Sequence, residues 1–147
     1  MYATAQDIID RYTLDELIIA ADFDGDGEYD TVPVNKALSD ASEEIDSWLQ
    51  HCYETPVATP LTGKFSQLTA ICVDIACYRL GFNLQKYTEE KDSRYKNALN
   101  RLGLLCPKAK QIMSGKVENL ENQATAGKAT LIGGGRVFSR NSQKGLL

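Results

Sequence analysis

The chain has 147 residues, of which 43% are hydrophobic and 24% charged, with a formal net charge of −4. That is the make-up of one ordinary globular domain, with no run of about 18 apolar residues to span a membrane. The opening "MYATAQDIID" lacks the basic-then-apolar pattern of a signal peptide, so the expectation is a soluble protein made in a cytosol. The charge is polarised: residues 1–63 hold 14 acidic and 2 basic side chains, and residues 64–147 hold 6 acidic and 14 basic.

Thr4, with Asp7 three residues on, reads as a helix N-cap with an acid in the first turn, and the helix runs to about Tyr12. Thr13 and Glu16 have the spacing of a capping box, opening a second short helix over Leu14–Ala21. An acidic loop follows. From Pro33, apolar side chains recur at Val34, Ala37, Leu38, Ala41, Ile45, Trp48, Leu49 and Cys52, one face of a long helix. "YETPVATPLTGK" carries Pro56, Pro60 and Gly63 and must be irregular. The next helix, about Lys64–Phe82, turns Phe65, Leu68, Ile71, Cys72, Ile75, Tyr78 and Phe82 to one side. Thr88 caps another, which ends at Gly103 and buries Tyr95, Ala98, Leu99 and Leu102; Pro107 starts a short helix to about Ser114.

From Gly115 the period disappears. Residues 115–147 contain six glycines, five basic and two acidic side chains, the composition of a flexible basic C-terminal arm. Two apolar patches, Thr130–Ile132 and Val137–Phe138, are short enough to pair as strand or dock on a partner. The fold expected is therefore all-α: a small helical bundle of three main helices plus short ones over 1–114, with an extended C-terminal arm over 115–147.

The motifs offer little chemistry. "GGG" at 133–135 lacks the strand–helix context of a dinucleotide fingerprint, and "GKAT" at 127–130 has Asn122 and Ala129 where a phosphate loop needs Gly and Ser or Thr. The four cysteines, Cys52, Cys72, Cys77 and Cys106, fall at no zinc-ligand spacing and read as small buried hydrophobes in a reducing compartment. His51 and Cys52 are neighbours on a helix and do not face each other, so they make no nucleophile pair. Asp74, in an apolar helix, reads as an acceptor for Tyr78 or the partner of a Lys or Arg from another helix. With no convergent polar groups by spacing, the expectation is a non-enzyme with no catalytic residues and no cofactor.

The exception is "ADFDGDGEYD". Asp22, Asp24 and Asp26 stand at positions 1, 3 and 5 of a calcium loop, Gly27 at 6 and Asp30 at 9, but Pro33 stands where a bidentate Glu closes the site. The acids repel one another, which a divalent cation relieves; the competing reading is a solvated turn that uses Asp and Gly for their backbone geometry.

In order and spacing, several segments resemble one family. They are "MYATAQDIIDRYTLDELI", "DFDGDGEYD" with "NKALSDASEEIDSWL", "CYETPV", "LTAICVDIACYRL", "SRYKNALNRL", "IMSGKV" and "RVFSRNSQKG". The family is the phage Mu-type head–tail connector, or head-completion, proteins of tailed bacteriophages and prophages. A longer link near residues 56–66 and the cysteines depart from its usual pattern. The resemblance implies an all-helical adaptor that forms a homo-oligomeric ring, binds the phage portal protein and neighbouring neck or tail proteins, and resides in the virion neck after assembly in the host cytoplasm. It supplies no catalytic residues to transfer, no membrane association and no specific nucleic-acid binding. Two alternatives remain from the residues themselves: a calcium-binding helical module using the Asp22–Asp30 loop, and a small nucleic-acid-binding protein using the basic C-terminal half.

Overall fold

The computed structural model describes residues 1–83 and 88–115, without the side chains of Phe82 and Asn83. Six α-helices and one 3-10 turn make up the described chain, and no strand occurs among these residues. They are α1 (Ala5–Arg11), α2 (Leu14–Ala21), α3 (Thr31–Leu49), α4 (Leu68–Asn83), α5 (Glu89–Leu105) and α6 (Pro107–Met113). The arm from residue 116 on, with its patches at 130–132 and 137–138, lies outside the described residues.

The two threonine caps exchange the roles expected of them. Thr4 and Asp7 form a reciprocal capping box: the Asp7 backbone N–H donates to Thr4 Oγ1, and the Thr4 N–H donates to the Asp7 carboxylate at 2.7 Å. Thr13 accepts from the Glu16 N–H at 3.2 Å, but the Glu16 side chain turns away from it to Arg94 of α5. A tertiary ion pair outcompetes the local cap.

The three long helices run up, down and up. Tyr53, just beyond α3, packs edge-on against Phe65, just before α4, with ring centroids 5.2 Å apart. At the other end Tyr78 and Arg79 share a cleft with Pro33, Lys36, Ala37 and Asp40 of α3. Likewise Tyr95 stacks on Tyr78 while Arg101 reaches Gln67, so α5 lies antiparallel to α4. α4 is the centre of the bundle, with α1, α2, α3 and α5 all packed on it. It is buried almost all round: Val73, Ala76, Cys77 and Leu80 join the expected Leu68, Ile71, Cys72 and Ile75 in the core. A helix apolar on every side belongs at a centre rather than on a surface.

Gly103 does not end α5. The helix continues to Leu105, and Gly103 is buried because the side chain of Lys110 lies across it; a Cβ there would meet Lys110 Cδ at 3.0 Å. The missing side chain admits α6.

Two of the four cysteines depart from the buried-thiol reading. Cys72 and Cys77 are free and buried, but Cys52 and Cys106 form a disulfide, with Cα atoms 5.8 Å apart across 54 residues of sequence. The fold, not the spacing, brings the end of α3 to the α5–α6 junction, where the Tyr53 hydroxyl also donates to the Leu105 carbonyl at 2.9 Å. The disulfide also removes Cys52 from any pairing with His51.

Candidate functional site

The acidic loop is held by its own backbone. Asp22 accepts from the N–H groups of Gly25 (2.6 Å) and Gly27 (3.2 Å), Asp24 from Asp26 (3.1 Å), and Asp26 from Glu28 (2.8 Å). The Asp24 and Asp26 bonds, two residues on, are Asx turns, and those of Asp22 reach further round the loop; together they fold an acidic segment through its own N–H groups. Gly25 and Gly27 adopt φ of 81° and 87°, the left-handed region that a side chain disfavours. The loop closes on itself where the Asp30 N–H donates to the Ala21 carbonyl at 2.9 Å.

Of the four sequence candidates, the fold assembles three. Carboxylate oxygens of Asp22, Asp24 and Asp26 lie within 4.8 Å of one another. Asp30 is turned instead to the Phe23 N–H, at 2.9 Å, and Pro33 offers no donor. Asp22, Asp24 and Asp26 are hard oxygen donors of the type calcium takes and are the residues that would hold it. The ion would neutralise repulsion between them and supply no reaction chemistry.

Asp74 carries the other concentration of charge. Its side chain is only 5% exposed and meets Arg11 through two hydrogen bonds, Arg11 Nε at 3.2 Å and Nη2 at 3.1 Å. The Tyr12 hydroxyl, not that of Tyr78, donates to the same carboxylate. Burial, and then the bond to Asp74, pushes Tyr12 up to about 12. The guanidinium of Arg94 sits 4.2 Å from the centre of the Tyr12 ring and pairs with Glu16 at 3.0 Å and with Glu90. One chain of contacts thus ties α1, α2, α4 and α5 together, and every charge in it has an opposite partner.

A second network lines a cleft of ≈ 380 Å³ between α3, α4 and α5. There Glu44 accepts from Arg79 at 2.6 Å and from the Tyr95 hydroxyl at 2.8 Å, while Lys36 pairs with Asp40 at 3.5 Å. Tyr95 stacks on Tyr78 with centroids 4.3 Å apart, and burial followed by its bond to Glu44 raises it to about 12. Through Glu44, Arg79 and Tyr95 brace α4 and α5 on α3, while the Lys36–Asp40 pair lies within α3.

What the sequence pattern left unseen is where the charges stand. The acidic loop, with Asp22, Asp24, Asp26, Glu28 and Asp30, precedes the first turn of α3. At its other end Lys64 lies over the Tyr53 ring and α6, which carries Lys108 and Lys110, follows Cys106 of the disulfide, with Asp46 and Glu54 as the acids of that end of α3 and of the link after it. Nineteen helical residues separate the two ends, about 28 Å at 1.5 Å per residue.

Among the described residues, no helix is long and apolar enough to cross a membrane. A family described as "Bacteriophage Mu, Gp36" matches residues 2–130. The "Mu-like prophage FluMu protein gp36" of Haemophilus influenzae is 28% identical over 149 residues, which cover 100% of this chain and 99% of that protein. With the match running from the N-terminal segment through every described helix, the chain belongs to the Bacteriophage Mu Gp36 family of phage proteins.

Proposed function

We propose that this protein is a structural component of virion assembly: a head–tail connector or head-completion adaptor that forms a ring between portal and tail in the virion neck and performs no catalysis. The observation that carries this reading is the separation of an acidic end and a basic end by the length of α3. Opposite charges at one corner would neutralise each other within a molecule. Held about 28 Å apart on a helix, they favour contact between copies, and such head-to-tail contacts close into rings when the rotation allows. The similarity to a Mu-like prophage protein over its whole length supports a role in the phage. The test is native mass spectrometry of the purified protein with portal rings. Association that weakens with salt is expected; no association at any ionic strength would remove the connector reading.

A second reading has its own observation. The convergence of Asp22, Asp24 and Asp26 favours a calcium-stabilised loop, which would set the angle at which α2 enters α3. The ion would then adjust the acidic end of the adaptor.

A further inference from the structure

The acidic end carries an aromatic ring that its own fold covers only in part. Phe23 is 43% exposed and stands between Asp22 and Asp24, at the point where the loop leaves α2. Its backbone is held by the hydrogen bond from its N–H to Asp30, so the ring leaves the chain from a fixed point. Exposing a large aromatic side chain in a polar loop forgoes a substantial hydrophobic gain, and such residues serve as anchors at interfaces.

The opposite end carries a cleft. Tyr53, Val57, Ala58, Pro60 and Phe65 line an open depression of ≈ 660 Å³, with Glu54, Thr59 and Thr62 completing it. Its position is fixed by the edge-on Tyr53–Phe65 pair, by the Tyr53–Leu105 hydrogen bond and by the bond from the Val57 N–H to the Tyr2 hydroxyl at 2.7 Å. Lys64 lies over these rings, its Nζ 4.1 Å from the centre of Tyr53 and 5.1 Å from that of Phe65. Among the described residues Lys64 meets rings and no carboxylate.

We infer that Phe23 of one copy seats in the Tyr53–Val57–Phe65 cleft of a second copy, with Lys64 of the second copy facing Asp22 and Asp24 of the first. Three observations select a second copy as the occupant. The ring and cleft have matching apolar character, and Asp22 and Asp24 beside the ring are opposite in charge to Lys64, which lies over the rings of the cleft. The ring and cleft also stand at opposite ends of α3, so no single chain can bring them together. The contact is heterologous: each molecule offers a ring at one end and a cleft at the other, and association continues until it closes. This inference rests on the ring-forming reading above and names the surfaces that make the ring.

The experiment uses two variants at exposed positions, Phe23→Glu, which removes the ring, and Ala58→Glu, which blocks the cleft. Circular dichroism first establishes that each keeps the helical content of the parent. In sedimentation velocity up to millimolar protein, the unaltered chain should show concentration-dependent association and each variant should remain monomeric. An equimolar mixture of the two variants should form a one-to-one dimer and nothing larger, because it retains one working ring and one working cleft. A parent that stays monomeric, variants that associate as the parent does, or a mixture that stays monomeric each overturns the inference. Should both variants still join portal rings in native mass spectrometry as the parent does, the connector reading stands and this interface falls. Should the dimer form while no copy joins a portal ring, the interface stands and the connector reading falls.

Discussion

Arg11 and Asp74 are 63 residues apart in sequence and meet through two hydrogen bonds, at 3.2 and 3.1 Å, on the wall of the central helix. Asp74 is buried while Arg11 is more than a third exposed, so the pair is worth less than a fully enclosed one and more than a surface one. Asp74→Asn should cost about 2 kcal/mol, since Arg11 can partly rehydrate but loses a charged partner together with Tyr12. Urea unfolding of the single variant and of Asp74→Leu with Arg11→Met checks it: the double change should recover part of the loss.

Three tyrosines give the protein a limit on the alkaline side. Tyr2, Tyr12 and Tyr95 each donate to a carboxylate, of Asp46, Asp74 and Glu44, and burial together with that bond raises each from 10.0 to about 12. Burial also raises the Cys77 thiol from 9.0 to about 12. In all four the folded value lies above the unfolded one. Their contribution is therefore complete below pH 9, declines once the unfolded chain begins to ionise, and is gone as the pH rises through 12. On the alkaline side, unfolding midpoints should fall between pH 9 and 12. Absorbance of tyrosinate in the folded protein should show Tyr2, Tyr12 and Tyr95 ionising only as the pH nears 12.

The Cys52–Cys106 bond closes a loop with a sequence separation of 54. On the chain-entropy account, removing such a crosslink costs about 4 kcal/mol, and measured losses often fall nearer 2. Cys52→Ser, or dithiothreitol treatment of the parent, should lower the melting midpoint by that equivalent. Cys72→Ser tests a different effect, a polar group in the core; it keeps the Cys52–Cys106 bond, so reductant should lower its midpoint by as much as it lowers the parent's.

Asp22 accepts two backbone N–H groups of the loop, so Asp22→Ala should cost about 1–2 kcal/mol even in the presence of a chelator. Calcium added to the parent should raise the melting midpoint only in the millimolar range, because Pro33 stands where the closing carboxylate belongs. Asp24→Asn with Asp26→Asn should abolish that rise. A midpoint indifferent to calcium at all concentrations would leave the three carboxylates as turn formers alone.

The helices were legible because period and capping are local. Thr4, Thr13 and Thr88 mark three starts, and the stripe from Val34 to Leu49 predicts the buried face of α3. What escaped was non-local. Glu16 answers to Arg94, 78 residues on, so its capping spacing misled. Gly103 reads as a stop until α6 is seen lying on it. The partner of Asp74 sits on the first helix, where no periodicity in α4 can reveal it. The acidic loop was legible as a cluster, yet Asp30 drops out because its carboxylate is engaged by Phe23. The cleft at the far end is built from a segment rich in proline and threonine that has no period to read.

The bond between Cys52 and Cys106 makes one covalent circuit of everything between them, including the non-helical stretch from Tyr53 to Thr62. A protease that severs a peptide bond there opens the circuit without dividing the molecule. Electrophoresis of the nicked protein should give one band in the absence of thiols and two in their presence. A chain cut in this way keeps both of its halves, and the α3 end stays joined to the α5–α6 junction.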